Sequence, residues 1–334
     1  MLWRRRQASF LMFVLLCMAE SVCALTIKLA SPLPEATEAH NALLRMAEEW
    51  RVITDGLIKI KIYPGGIVGK EDDMIRKMRI GQIDAGVFSV FGLKMIVPET
   101  LTLSLPGLIQ DDKELNFILD NFVWRFDEKF REEGFEILAW SQLGWAHVYS
   151  SVPVTGIAEF KKRRLMMDNT EDTTISGFKS LGFKVVPIGI NETLIALQSG
   201  LVDSVTASPM IAAVFQWFAF APYMTDLNLA PIIGGLVLSR RAWLKVPNEY
   251  RNALRASMAR VARAFSAESV RLNVSAMAVM KDNGLQMVVL DEGARKEWHD
   301  VMIGWHDLVV GNGKEISVET YERLLNEVEK LRNK

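Results

Sequence analysis

The chain has 334 residues, half of them apolar and 24% charged, with a formal net charge of −1. So even a balance excludes binding to nucleic acid or an acidic membrane surface through bulk charge. The only cysteines are Cys17 and Cys23, so the rest of the chain has no disulfide, thiolate nucleophile or Cys-ligated metal. It must stand on a hydrophobic core, which at this length is best built as two lobes.

In chain order, residues 1–24 read as a secretory signal, which predicts a periplasmic protein. Arg4, Arg5 and Arg6 form its charged start, an apolar stretch runs from Ala8 to Ala19, and Val22-Cys23-Ala24 precedes a cut at Leu25. The stretch falls short of the roughly 20 apolar residues that cross a bilayer; an uncleaved anchor is the alternative. "LTIKLASPL" (25–33) alternates like a half-buried strand and breaks at Pro32 and Pro34. An amphipathic helix (35–56), a strand of strict period 2 (57–66), a helix (70–82) and a buried strand (83–90) follow. That rhythm predicts a largely parallel sheet covered by helices.

The second half repeats it. Strands are predicted at 135–143, 146–152, 163–168, 183–188 and 204–208, and helices at 173–182 and 191–203. From Pro247 to about Asp282 runs a helix far above the usual globular length. A helix that long is read as a beam crossing between lobes, which makes the lobes discontinuous. The first is expected over 25–144 plus about 235–272, the second over 145–234 plus about 273–334.

Catalytic chemistry finds no anchor, and an enzyme is not expected. "YPGGIVGK" (63–70) is followed by Glu71 where a phosphate-cradling loop needs Ser or Thr. His40, His147, His299 and His306 show no metal-ligand spacing, and no nucleophile elbow is present, so neither a metal nor a cofactor is expected. Glu71, Asp72 and Asp73 suit the first turn of a helix. Asn191-Glu192-Thr193 and Asn273-Val274-Ser275 match glycosylation sequons but fall in predicted helices. "MIAAVFQWFAFAPYM" (210–224) is rich in aromatics that either build a core or line a ligand; Phe88 and Trp145, at strand ends, allow the same two readings. Lys161, Lys162, Arg163 and Arg164 run directly into Leu165, Met166 and Met167, as a solvated face or as a docking patch.

From residue 25 almost to the end, the chain resembles the solute-binding proteins of TRAP (tripartite ATP-independent periplasmic) transporters, the DctP-type family. The likeness is carried by "YPGGIVGKEDDMIRKMRIGQIDAGV", "EFKKRRLMMD", "SRRAWLKVPNEYRNAL" and, most specifically, "NETLIALQSGLVDSV". It implies an α/β periplasmic binding protein fold: two hinged lobes around a cleft, bridged by the long helix, that capture a solute and deliver it to the membrane permease subunits. Hinges are expected near 143–147, 230–238 and 270–276. The nearest subgroup works with a tetratricopeptide-repeat partner (the TatP type), for which the basic run is a candidate docking patch. A ligand-free or lipid-carrying scaffold is the alternative function.

In the family's D-l-k-G-l-K-i-R-v segment, the arginine clamps the ligand carboxylate. Laid without a gap on residues 159–167, that arginine becomes Met166. The other charged or polar contacts of the family fall on Ser89, Ala146, Thr206 and Ala207. The residues expected at the ligand are Pro32, Leu33, Phe88 and Ser89 from the first lobe, and Trp145 at the crossing. From the second lobe come Met166, Ile190, Ala207, Met210, Phe215, Trp217 and Phe218. A thioether is soft and apolar where a guanidinium would grip two oxygens. The expected ligand is therefore neutral or hydrophobic.

Overall fold

The stretch with the strictest alternation, β2 (Ile58–Tyr63), lies along β1 (Leu25–Ala30) in parallel, paired through all six residues of each. The computed structural model describes residues 24–333 except 36 and 169–171; the predicted signal, with both cysteines, lies outside the described residues. β3 (Ala85–Ser89) is parallel to β1 on its other side. The helix Glu38–Ile53, capped by Thr37, buries His40, Leu43, Met46 and Trp50 at three- and four-residue spacing, so one face is apolar.

The predicted strands 135–143 and 146–152 are one strand, β4 (Phe135–Ser150). Between Gln142 and Gly144 the register slips, and Gly144 takes φ = 106°, a left-handed conformation open chiefly to glycine. An extra residue therefore bends the strand without ending it. β5 (Arg164–Met167), β6 (Lys184–Pro187) and β7 (Ser204–Ala207) form the parallel part of a second sheet half. β8 (Tyr223–Thr225) lies antiparallel to the end of β4. β9 (Ala230–Ser239) lies antiparallel to both β3 and β4, and β10 (Gln286–Val288) is parallel to β8. The strand order β2-β1-β3-β9-β4-β7-β5-β6 thus runs through both lobes, with β4 and β9 as the joining ribbon.

The helix Asn248–Asp282 has 35 residues, about 50 Å of rise. Leu254, Met258 and Ala262 sit in a first-lobe core, while Met280 sits in a second-lobe core, as a bridging beam requires. The C-terminal segment departs from expectation. In the helix Glu292–Val309, Trp298 and Met302 pack in the second lobe and Val309 in the first, while Trp305 joins the first-lobe core and also touches Phe178 and Gly177 of the second. The helix Val318–Arg332 then packs Leu324 and Val328 against Leu101 and Leu115 of the first lobe, so residues 318–332 do not belong with the second.

His306 pins that return. Its Nε2–H donates to the carbonyl of Pro106, which leaves Nδ1 to accept from the Tyr321 hydroxyl, both at 2.9 Å. Burial pushes its pKa down to about 4, and does the same for His147, which donates from Nδ1 to Leu227 O. Unfolded, each imidazole takes a proton near pH 6.5. Between those values the native state binds fewer protons, so stability is complete above pH 6.5 and is lost as pH falls toward 4. Urea midpoints at pH 7.5 and pH 5 should show this loss, and His306→Gln should flatten it. An equal fall in the variant counts against His306 as a source.

Candidate functional site

The strand registers locate the cleft. At the carboxyl end of β3, Ser89 pairs with Gly234, which in turn pairs with Ser141 of β4. At the carboxyl end of β7, Ala207 pairs with His147 of β4. Because β3 runs with β4 and β7 runs against it, the two sets of carboxyl ends point at each other. Between them lies the stretch 142–146 of β4, bridging roughly 20 Å with β9 paired along it. Ligands of α/β folds bind outside the carboxyl ends of strands, and two such edges face each other across β4 here.

Of the residues expected at the ligand, Pro32 and Leu33 follow β1 and Ser89 ends β3. Ser31 is buried, while Pro32 and Leu33 are more open. Ser89 donates from its amide to Glu71 Oε1 at 2.5 Å and from its hydroxyl to Oε2 at 2.8 Å, and the Gly92 amide serves the same carboxylate. A Cβ on Gly92 would stand 2.7 Å from Oε2, so the glycine is what admits Glu71. Burial raises the pKa of Glu71 despite these donors. Glu71 thus does more than favour its own helix terminus. It takes up the amide and hydroxyl donors at the end of β3.

Met166 is 4% exposed. It lies in a cross-strand row running Met224, Tyr149, Val205, Met166 and Val186, so these side chains share one face of the second sheet half. Tyr149, Met166, Ala207 and Trp217 pack in the same cluster, with Ile188 and Leu197. Phe215 stacks on Trp217 at 5.4 Å and, like Phe218, is partly buried against that cluster. Ile190 and Met210 stand more open at the carboxyl ends of β6 and β7.

Five expected contacts are placed in cores, among them Met166 and Ala207, 4% and 6% exposed in the cluster around Tyr149. Phe88 is fully buried in the first-lobe core, where its ring fills the space over Gly86 and Gly92. Trp217 is 2% exposed and serves as core under the aromatic segment. Trp145 packs into the first-lobe core with its indole N–H donating to Asp112 Oδ1 at 2.8 Å, so it braces the crossing.

The basic run lies at the opposite end of β5 from the crevice. Asp203 accepts from the Arg164 amide at 2.7 Å, and its Oδ2 lies 3.3 and 3.9 Å from the Arg164 and Arg163 guanidinium groups. Both arginines therefore hold the turn before β7 to the start of β5. Among the described residues, positions 31–33, 89, 142–146, 188–190 and 207–210 include no lysine or arginine. No described group of three or more His, Cys, Asp or Glu is placed to hold a metal. No described helix is long and apolar enough to cross a membrane. Sequence reasoning missed the part played by Glu71 and by Asn273, whose apparent sequon hides a buried side chain.

A model of the family "Bacterial extracellular solute-binding protein, family 7" (DctP) matches residues 29–309. A solute-binding protein of Verminephrobacter eiseniae is 28% identical over 178 residues, about half of either chain (50% and 51%). The sialic acid-binding periplasmic protein SiaP of Vibrio cholerae is 21% identical over 80% of this chain and 84% of its own. Among solved structures, a TRAP periplasmic solute-binding protein from Ochrobactrum anthropi superposes with a TM-score of 0.84 at 20% identity, covering 94% of this chain and 97% of that one. One from Xanthobacter autotrophicus with bound β-D-galacturonate gives 0.78 at 18%, over 91% and 99%. One from Desulfovibrio desulfuricans with bound sn-glycerol-3-phosphate gives 0.81 at 17%, over 92% and 97%. At these identities the likeness shows a shared fold.

Proposed function

The chain belongs to family 7 of the bacterial extracellular solute-binding proteins, the DctP family, and on that premise we propose that it captures a neutral or hydrophobic solute for a TRAP permease. The galacturonate and glycerol phosphate of the two structural relatives are anions. The reading is supported at the position that the resemblance gives to the carboxylate clamp. Met166 stands where the resemblance calls for the clamping arginine, and its neighbours are apolar or aromatic. A carboxylate buried there without a partner would cost several kcal/mol. Glu71 supports the same reading from the opposite wall by occupying the donors at Ser89 and Gly92.

Capture would proceed by closure of the two lobes about the β4–β9 ribbon and the long helix, with the first lobe also holding the last helix. Such closure uses a few crossing points that absorb backbone rotation. Native mass spectrometry of the purified protein, followed by organic extraction, should recover an apolar molecule in stoichiometric amount. Delipidated protein should rebind the extract with a smaller radius of gyration. Micromolar binding of galacturonate or sn-glycerol-3-phosphate in the crevice overturns the reading.

A further inference from the structure

Asn273 is two turns along the long helix from Ser266, and together they hold the bend of β4. The Gln142 amide donates to Ser266 Oγ at 3.1 Å, and Leu143, the extra residue of the bend, gives its carbonyl to Asn273 Nδ2 at 2.9 Å. The same Nδ2 donates to Ser269 O at 2.8 Å, one turn back in the helix. The other end of the amide faces the second lobe, where Asn273 Oδ1 accepts from the Met210 amide at 3.0 Å. That amide is an orphan donor in the first turn of the helix Pro209–Val214, in which Pro209 offers none and Ser208 serves only Ile211. Every hydrogen-bonding position that matters on this side chain is used, and it is 8% exposed. The approach is possible only beside a glycine, since a Cβ on Gly144 would lie 2.6 Å from Asn273 Nδ2.

We propose that Asn273 is the positioning residue of the hinge, joining the bend in β4 to the cleft-facing turn at residues 208–210. When the lobes rotate about residues 142–144, the part of the long helix from Asn273 onward and the turn at Met210 then move as one piece. The proposal rests on the two-lobed solute-binding reading but is tested without a solute. Its failure is therefore separate from a failure to find an apolar ligand.

The test compares Asn273→Ala, Asn273→Asp, Gly144→Ala and the double variant Asn273→Ala/Gly144→Ala, all ligand-free. Amide exchange at Met210, small-angle scattering and the thermal midpoint are measured for each. Asn273→Ala should speed Met210 exchange at least about 10-fold and broaden the distance distribution between the lobes. Asn273→Asp keeps an acceptor for Met210 but sets a carboxylate against Leu143 O. It should retain Met210 protection while the scattering still broadens, a split that a residue serving stability alone would not produce. Gly144→Ala should lower the midpoint less in the Asn273→Ala background, where the clash is gone, than in the native one. If Asn273→Ala does not fold, Gly144→Ala and Asn273→Asp carry the same comparison. Unchanged scattering with additive midpoint shifts overturns the proposal.

Discussion

Replacing Met166 with arginine should lower affinity for the extracted apolar solute by about 100-fold or more, because a cation would replace a thioether where no partner awaits it. The position is 4% exposed and walled by Tyr149, Val205, Leu197 and Ala207. A guanidinium there must stay charged, since its pKa lies far above any working pH. Met166→Leu keeps volume and polarity and should bind within a few-fold of the native protein. The arginine variant should gain no tight binding of galacturonate, for a reason lying across the cleft. The donors at Ser89 and Gly92 are held by Glu71, so a carboxylate gripped by the new arginine would face a second carboxylate. Calorimetry on delipidated protein decides this, with thermal melts to show that each variant is folded. Equal affinity of the native and arginine variants for the apolar solute, or micromolar galacturonate binding by the arginine variant, would sink the idea.

Those expectations were legible at Met166 because a local motif fixed the register. The strand "RRLMMD" has cations before it, and both the motif and the structure put Met166 near the carboxyl end of β5. The period-2 run of β2 and the length of the bridging helix were equally plain, since each depends on spacing within one segment. What failed to show were properties set by distant segments. Phe88 lies at a strand end, where either face is open to it, and only packing over Gly86 and Gly92 assigns it to the core. Glu71 looks like any acid opening a helix until β3 brings Ser89 against it. Asn273 is one polar residue on a mostly solvated helix, and nothing local says that a bent strand and a second helix meet there. The gap between two predicted strands at 143–146 was the nearest signal of that bend, and it read as a break because glycine is ambiguous between bulge and turn.

Glu114→Ala should cost about 1.5–3 kcal/mol, because it removes the charged acceptor that ties the last helix to the first lobe. Glu114 lies in the first turn of the helix Asp112–Asn121, whose N-cap Asp111 accepts from its amide at 2.8 Å. The carboxylate, 4% exposed as a residue, accepts from the Gln110 amide at 2.8 Å and from Arg332 Nε and Nη2 at 2.6 and 2.9 Å. Arg332 Nη2 also reaches Leu108 O at 3.0 Å. The pair is thus bidentate, with the acid buried and hydrogen-bonded while the Arg332 side chain stays 32% exposed. Arg332→Ala should cost no less, because it leaves the buried Glu114 carboxylate with only the Gln110 amide and its own helix terminus as partners. Urea denaturation gives both values, and amide exchange in residues 318–332 shows whether the helix detaches first. A loss below about 1 kcal/mol for Glu114→Ala would place the pair among ordinary surface bridges and leave Leu324 and Val328 alone to hold the helix.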